Sequence, residues 1–215
     1  MTNNITSSAQ FAPPIGRFHE VDGRRIFVHR SGSGGPAVVL LPGASAVGLD
    51  YFGVQQQVSQ FTTAVVYDRG GTGYSDPLPL PRSAAAVATE LHELLHALNI
   101  AAPYVLAPHS LGGFYAHRFA QLYPQEVAGL VWLDALHRDV PVVALTVLGA
   151  DPAQPERARQ EMHDAKTRMD AALVSAVSHG KQRILSDTSH HRLCVDRPDA
   201  VVQAIRYVVD RAARP

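Results

Sequence analysis

The chain has 215 residues, of which 46% are apolar and 18% charged, and its formal net charge at pH 7 is zero. This length suits one domain with a full hydrophobic core, and the composition is that of a globular protein rather than a disordered one. Because the sequence has no basic stripe or polybasic run, we expect it to bind neither nucleic acid nor an anionic membrane surface.

Cysteine content and the N-terminal residues predict where the protein works. Cys194 is the only cysteine, so no intrachain disulfide can form and nothing indicates an oxidising compartment. Residues 1–15 lack the basic start and apolar run of a secretory signal, and no stretch is long enough to cross a bilayer. We therefore expect a cytoplasmic protein with a flexible leader over residues 1–15 and a single domain over residues 16–215.

The predicted elements alternate between strands and helices. The Asp22-Gly23 turn indicates a hairpin, and the apolar runs Ala37–Leu41 and Ala64–Tyr67 indicate buried strands. Ser83 is a typical N-cap for a helix that reaches Leu98. The later elements are a strand at Tyr104–Ala107, a helix at Leu111–Tyr123, strands at Val127–Leu133 and Pro141–Val147, a helix over residues 155–177, a strand over 182–187 and a helix over 198–212. This alternation predicts an α/β fold whose mostly parallel central sheet carries helices on both faces.

Ser110 stands where a predicted strand gives way to a helix, in the stretch "PHSLGG". In an α/β sheet, ligands and chemistry lie at the carboxyl ends of the strands. A serine raised on a tight strand-to-helix turn adopts a strained backbone, and its neighbours must be small, as Gly112 is. The following helix points its N–H groups and positive dipole end at Ser110, which favours negative charge there. Ser110 is therefore the candidate nucleophile.

Four stretches together resemble motifs of the α/β-hydrolase family, in the order that this family has along its chain. They are "LLPGAS" (the oxyanion loop), "YDRGGTGYSD" (the arginine-glycine loop), "PHSLGG" (the nucleophile elbow) and "SHHRLCVDRPDAVVQAI" (the histidine loop and last helix). The elbow departs from the family pattern at Pro108, which stands where G-x-S-x-G has its first glycine. The resemblance implies the α/β-hydrolase fold and serine chemistry without a metal or organic cofactor.

The resemblance also implies which residues carry the reaction. It assigns Ser110 as the nucleophile and His191 as the base, because His191 stands five residues before Asp196 of the "D/E-x-P" signature. It assigns Asp151, in the loop after the strand at 141–147, as the acid that orients the base. Asp134, which follows the preceding strand, is the alternative acid.

Further residues surround this predicted triad. Asp139 is a third and more remote candidate for the acid. The backbone N–H groups of Ala44 and Leu111 are the implied donors of the oxyanion hole. The link from Asp134 to residue 141 is too short for the helical cap that many members of this family insert there, so we expect an open site without a lid. The residues predicted to contact the substrate are Ser45, His109, Leu136 and His190.

These features predict a serine hydrolase that cleaves carboxylic esters with small or medium acyl groups through an acyl-enzyme. Dehalogenase and epoxide hydrolase chemistry are disfavoured, because position 110 is not an aspartate. Two alternatives stay open: a cofactor-free haloperoxidase or perhydrolase that uses the same triad, and a non-catalytic ligand-binding relative.

A rival motif lies on the helix that begins after Ser83. "HELLH" at His92–His96 matches the H-E-x-x-H signature of zinc peptidases, whose two histidines share one helix face. Here these histidines fall on the polar side of the helix, away from its leucine stripe, and no downstream motif supplies a third ligand. We therefore expect a solvated helix face, with no metal and no zinc peptidase activity.

The short link also bears on assembly. Parallel neighbouring strands need a crossover of roughly a dozen residues or more, whereas only six residues separate Asp134 from Pro141. An extended link leaves an apolar patch for a second subunit to cover, and a strained hinge favours exchange of the C-terminal half between protomers. We therefore expect a homodimer, which is domain-swapped in the second case.

Overall fold

A computed structural model describes residues 12–44, 46–78, 82–134, 142–148, 155–175 and 181–213. The strands are β1 Arg17–Val21, β2 Arg24–Ser31, β3 Val38–Leu41, β4 Ala64–Tyr67, β5 Tyr104–Pro108, β6 Val127–Leu133, β7 Val142–Val147 and β8 Lys181–Leu185. The helices are α1 Phe52–Val58, α2 Ala84–Ala97, α3 Gly112–Leu122, α4 Glu156–Ser175, α5 Leu193–Asp196 and α6 Pro198–Ala212. Short 3-10 turns lie at Gly48–Tyr51, Pro124–Glu126 and His190–Arg192.

The strands form one sheet in the spatial order β1-β2-β4-β3-β5-β6-β7-β8. The strands from β4 and β3 through β8 are mutually parallel, whereas β1 and β2 form an antiparallel edge. The predicted hairpin joins β1 to β2, and its turn residues Asp22 and Gly23 have φ values of 50° and 72°. Both residues are thus left-handed, as the tight hairpin turn requires. The predicted α/β fold with a mostly parallel sheet is confirmed.

Helices bury both faces of the central strands, which explains why these strands are apolar throughout. In β3, Val38 and Leu40 face the cluster formed with α1 and α6, whereas Val39 and Leu41 face the cluster formed with α2 and α3. Alternate residues of a strand point to opposite faces, so a strand covered on both sides loses the usual alternation of apolar and polar residues.

Helix α2 shows how local sequence signals fix the ends of an element. The Ser83 hydroxyl accepts a hydrogen bond from the Ala86 N–H at 3.1 Å, which satisfies one of the free donors of the first turn. The leucines Leu91, Leu94 and Leu95 are fully buried against the sheet. The predicted N-cap and apolar stripe of this helix are confirmed.

Strands β6 and β7 are parallel neighbours, with Leu130 opposite Val142. Residues 135–141, which connect them, lie outside the described residues, and so do residues 1–11 of the predicted leader. The predicted absence of a cap and the predicted homodimer therefore stay predictions. Among the residues that the structure describes, no helix is both long and apolar enough to cross a membrane.

Candidate active site

Ser110 occupies the sharp turn between β5 and α3. Its φ is 49°, in the left-handed region that a residue with a Cβ rarely adopts, at a cost of about 1–3 kcal/mol. Neighbouring backbone groups hold the turn: the Ser110 N–H donates to the Leu133 carbonyl at 3.3 Å, and the Gly113 N–H donates to the Ser110 carbonyl at 3.0 Å. The serine is thus raised at the carboxyl end of β5, at the start of a helix whose N–H groups point toward it.

Two glycines allow the chain to pack closely around this turn. A Cβ on Gly112 would collide with the backbone carbonyl of Leu41 at the end of β3. A Cβ on Gly43 would lie 3.1 Å from Nδ1 of His109 and 3.3 Å from Cβ of Ser110. Residues 42–44 therefore approach Ser110 more closely than larger side chains would permit.

His190 connects Ser110 to a buried carboxylate. Its Nε2 lies 2.9 Å from the Ser110 Oγ, and its Nδ1 is hydrogen-bonded to Oδ2 of Asp134. An ionised carboxylate can only accept a hydrogen bond, so Nδ1 carries the proton of the neutral imidazole and Nε2 is left to accept from the serine hydroxyl. This is the order of contacts that a serine nucleophile, its base and an orienting acid require.

Asp134 follows β6, and its side chain is fully buried. Burial alone would raise the pKa of Asp134, but the hydrogen bond from His190 and the ion pair with Lys166 outweigh it and hold the pKa below its ordinary value. Lys166 comes from α4 and also donates to the Val147 carbonyl at 3.0 Å, at the end of β7. Asp134 therefore stays ionised beside His190. No local sequence signal points to Lys166, because its two partners lie at the ends of two different strands.

The structure differs from the prediction for the histidine. His191 was predicted as the base and His190 as a substrate contact, but it is His190 that contacts Ser110. His191 is exposed and packs edge-on against the His190 ring. Successive residues of a 3-10 turn point about 120° apart, so only one of the two can face the serine. The five-residue spacing from His191 to Asp196 does not determine which histidine faces Ser110. The Asp196 carboxylate is bound by Arg192 within the same segment and is hydrogen-bonded to neither histidine.

The acid is the second point of difference. The structure brings Asp134, the alternative acid of the sequence analysis, to His190. Asp151, which was the first candidate, lies outside the described residues, and the same holds for Asp139, Leu136 and Ser45. Of the predicted acids that the structure describes, Asp134 alone is therefore seen at the site.

The predicted oxyanion donors flank the serine. Leu111 precedes the first turn of α3, and Ala44 lines the same cavity as Ser110. Among the described residues, neither the Ala44 nor the Leu111 N–H donates a hydrogen bond to the protein. The buried guanidinium of Arg69 holds the loop of Ala44 in place, donating to the Pro42 carbonyl at 2.6 Å and to the Gly43 carbonyl at 2.8 Å. Arg69 lies in "YDRGGTGYSD", and its contact supplies a structural reason for that motif.

His109 joins the oxyanion loop to the histidine loop. Its Nε2 donates to the His190 carbonyl at 3.0 Å, which leaves Nδ1 to accept from the Tyr51 hydroxyl at 2.8 Å. The same hydroxyl accepts from the Gly43 N–H at 3.2 Å. Burial, reinforced by the neighbouring His190, lowers the pKa of His109 to about 4, so the ring is neutral at pH 7. His109 was predicted to contact substrate, which stays a prediction; the structure gives it this bridging position, which Tyr51 completes.

A cavity of about 460 Å³ opens onto Ser110. Both histidines of the "SHH" stretch line it, with His109 on one side. The side chains of Ala46, Cys194 and Val195 supply an apolar wall, and Asp50 adds a carboxylate. Burial raises the pKa of the Cys194 thiol to about 12, so this cysteine is not a thiolate nucleophile.

Parts of the chain are similar in sequence to a family model and to known proteins. A family model described as alpha/beta hydrolase fold matches residues 36–192. Rv2715 of Mycobacterium tuberculosis, an uncharacterized protein, is 34% identical over 142 residues, which make up 65% of this chain and 41% of the relative. A protein named putative carbamate hydrolase RutD, from Cronobacter turicensis, is 36% identical over 99 residues, 46% of this chain and 37% of that protein. The chain thus spans less than half the length of these curated relatives.

Solved structures extend the likeness to nearly the whole chain. A thermophilic esterase from Thermogutta terrifontis superposes with a TM-score of 0.73 at 16% sequence identity, over 93% of this chain and 98% of that one. An Acinetobacter baumannii protein described as a putative lipase gives a TM-score of 0.75 at 14% identity, over 92% of this chain and 91% of that one. At such identities the likeness shows the fold.

Proposed function

The chain belongs to the α/β-hydrolase family, and from that premise we propose that it is a serine hydrolase that cleaves carboxylic esters through an acyl-enzyme. The observation that carries the proposal is the continuous contact from Ser110 through His190 to Asp134. A serine hydroxyl becomes a useful nucleophile only when a base accepts its proton and a third group orients that base.

In the first half-reaction, the Ser110 Oγ attacks the ester carbonyl while His190 Nε2 accepts the hydroxyl proton. The Ala44 and Leu111 N–H groups donate to the oxyanion that forms, and each such donor contributes about 3–4 kcal/mol to lowering the barrier. His190 then protonates the departing alkoxide, and the acyl group remains bonded to Ser110. Asp134 keeps the proton on Nδ1 and stabilises the imidazolium during these transfers.

In the second half-reaction, water takes the place of the alcohol. His190 accepts a proton from the water as its oxygen attacks the acyl carbonyl, and then returns a proton to Ser110 as the ester bond to the serine breaks. The products are the carboxylic acid and the free enzyme, so no external oxidant, reductant or metal is consumed. The alcohol leaves before water enters, which gives the rate a burst phase when deacylation is slow.

The size and lining of the cavity support the proposal that the acyl group is small or medium. Its volume lies at the lower end of the range of small-molecule sites, and its apolar wall of Ala46, Cys194 and Val195 suits a short aliphatic chain. Carbamates are a second candidate class, because the same attack and oxyanion serve a carbamate carbonyl and the matched relative RutD is named for that activity.

The test is labelling with a fluorophosphonate probe together with hydrolysis of p-nitrophenyl esters of increasing chain length and of a matching p-nitrophenyl carbamate. We expect labelling, ester hydrolysis that is fastest at short or medium chains, and loss of both in Ser110→Ala. Ser59→Ala, on the exposed end of α1, is the control. Equal labelling of Ser110→Ala would remove this serine from the mechanism, and an unlabelled wild type would favour a non-catalytic ligand-binding relative.

A further inference from the structure

In the folded chain a carboxylate lies beside the two histidines of "HELLH". His92 and His96 lie one turn apart on α2, and Glu126 reaches them from the 3-10 turn that precedes β6. The His92 Nε2 is 3.1 Å from Glu126 Oε1, and the His96 Nε2 is 3.6 Å from the same oxygen. We propose that His92, His96 and Glu126 form a Zn²⁺ site that ties α2 to the connection between α3 and β6.

The separations of the donor atoms fit such an ion. All three lie within 4.8 Å of one another. Zinc binds imidazole nitrogen and carboxylate oxygen at about 2.0–2.2 Å in tetrahedral geometry, which puts neighbouring ligand atoms roughly 3.3–3.5 Å apart. The two measured contacts to Glu126 bracket that distance. The remaining separation, between the two histidines, is within 4.8 Å, so rotation of their side chains would complete the coordination.

The Glu126 carboxylate is hydrogen-bonded through only one of its two oxygens among the described residues. Glu126 Oε2 is buried and has no hydrogen-bond partner among the described residues. A buried carboxylate oxygen without a partner is costly, and a bound cation removes that cost. A hydrogen bond from His92 to Oε1 alone leaves Oε2 in this state, whereas a divalent ion compensates the whole carboxylate.

The site is also held in place. The His92 ring stacks on Tyr123 with a centroid separation of 3.8 Å and an interplanar angle of 7°. The Glu126 N–H donates to the Tyr123 carbonyl at 3.0 Å, so the residue that supports the first ligand also fixes the turn that carries the third. His96 is 59% exposed, which leaves a path for the ion and room for a water as fourth ligand.

The site does not have the arrangement of a zinc peptidase. Glu93, the glutamate of "HELLH", would have to face the metal to act as its general base. It lines instead a separate hollow together with Arg24 and Arg82, on another side of α2. We therefore assign the metal a stabilising role. The sequence predicted no metal here, because the third ligand, Glu126, is no part of a linear motif.

The test is metal binding by chelator-treated full-length protein, measured by calorimetry with ZnCl₂ and by the visible absorption of the Co²⁺ complex. We expect one equivalent of Zn²⁺ per chain, a tetrahedral Co²⁺ spectrum, and a Tm that rises by several degrees at Zn²⁺ about a hundredfold above Kd. Glu126→Gln, which preserves the size of the side chain, should weaken binding by at least about tenfold, because even the loss of a group that only supports a ligand costs that much. His92→Ala and His96→Ala should abolish the Co²⁺ spectrum.

His117→Ala, which alters a histidine of α3 outside the cluster, is the matched control and should bind like the wild type. Because the histidines around Ser110 could also take up zinc, the titration is repeated with His191→Ala, which should keep the full equivalent. Absence of binding in the wild type would overturn the proposal. Binding that persists unchanged in Glu126→Gln and His92→Ala would overturn it as well, even if the stoichiometry were one.

Discussion

Two clusters of similar residue types lie at opposite ends of the parallel strands and differ in the chemistry that they can support. We call these two ends the carboxyl edge and the amino edge of the sheet. At the carboxyl edge, His190 lies between Ser110 and the buried Asp134. At the opposite edge, two histidines of α2 meet Glu126, directly before β6 begins. Only the first cluster has a hydroxyl on a strained turn at a helix N-terminus, where negative charge can develop. The second cluster offers only nitrogen and oxygen atoms that could bind a metal ion. Position on the sheet therefore separates the proposed covalent catalysis from the proposed metal binding more sharply than composition does.

The largest expected effect tests which histidine serves the carboxyl edge. His190→Ala should lower kcat for ester hydrolysis by about six orders of magnitude, because loss of the base of a serine triad costs about as much as loss of the whole triad. His191→Ala should lower kcat by less than about tenfold, since its ring is exposed and does not contact Ser110. Steady-state kinetics of the two purified variants measure both effects. The reverse ranking would make His191 the base, as its spacing to Asp196 predicts.

A second large effect concerns the acid. Asp134→Asn should lower kcat by about four orders of magnitude, because the amide favours the wrong tautomer of the imidazole while its size is unchanged. Asp151→Asn is the matched variant, and we expect a far smaller loss from it. Turnover of a short p-nitrophenyl ester measures both. If Asp151→Asn were the inactive protein and Asp134→Asn the active one, the contact of Asp134 with His190 would have a structural role only.

The difference between the edges also explains what the sequence could predict. The strands, the capped helix α2 and the turn at Ser110 follow from local signals, because apolar runs, N-caps and small residues act within a few positions. The choice between His190 and His191 depends on how a 3-10 turn packs against another loop, and no local pattern encodes that. Lys166 and Glu126 reach their partners across the fold, so neither stands in a linear motif.

The pH dependence of stability tests the bridge at the carboxyl edge. The pKa of His109 is lowered from 6.5 to about 4 in the folded protein. In the unfolded chain this histidine takes up a proton as the pH falls below 6.5, whereas in the folded chain it does so only at about pH 4. The contribution of this group is therefore full above pH 6.5 and is lost as the pH falls toward 4, by about 3 kcal/mol in total. His109→Gln should lose that part of the dependence.

Urea denaturation at a series of pH values measures this effect. The free energy of unfolding of the wild type should fall more steeply between pH 6.5 and 4 than that of His109→Gln. His191→Gln replaces an exposed histidine of the same site and should follow the wild-type curve. Parallel curves for the wild type and His109→Gln would show that His109 is not kept neutral by the fold.

A smaller effect on the rate is expected from the hydroxyl at the centre of the same bridge. Tyr51→Phe removes the group that accepts from the Gly43 N–H and donates to His109. The oxyanion loop and the histidine loop then lose a common anchor, so kcat should fall by about tenfold, the equivalent of one hydrogen bond. KM should change little, because Tyr51 acts on position rather than on substrate affinity. A drop in affinity with kcat unchanged would make Tyr51 a substrate contact instead.

The smallest expected effect is that of the metal cluster on turnover. The seven residues of β6 separate Glu126 from Asp134, and at roughly 3.3 Å per residue they put the two clusters on the order of 20 Å apart. A divalent ion at that distance in water contributes about 0.4 kcal/mol before screening, and salt at physiological strength reduces this further. Removal of Zn²⁺ by EDTA, or the change His92→Ala, should therefore leave kcat within about twofold while lowering the Tm of the metal-loaded protein. Ester hydrolysis and thermal unfolding of the same samples measure both quantities. Loss of activity in step with loss of zinc would show that the two edges of the sheet are coupled.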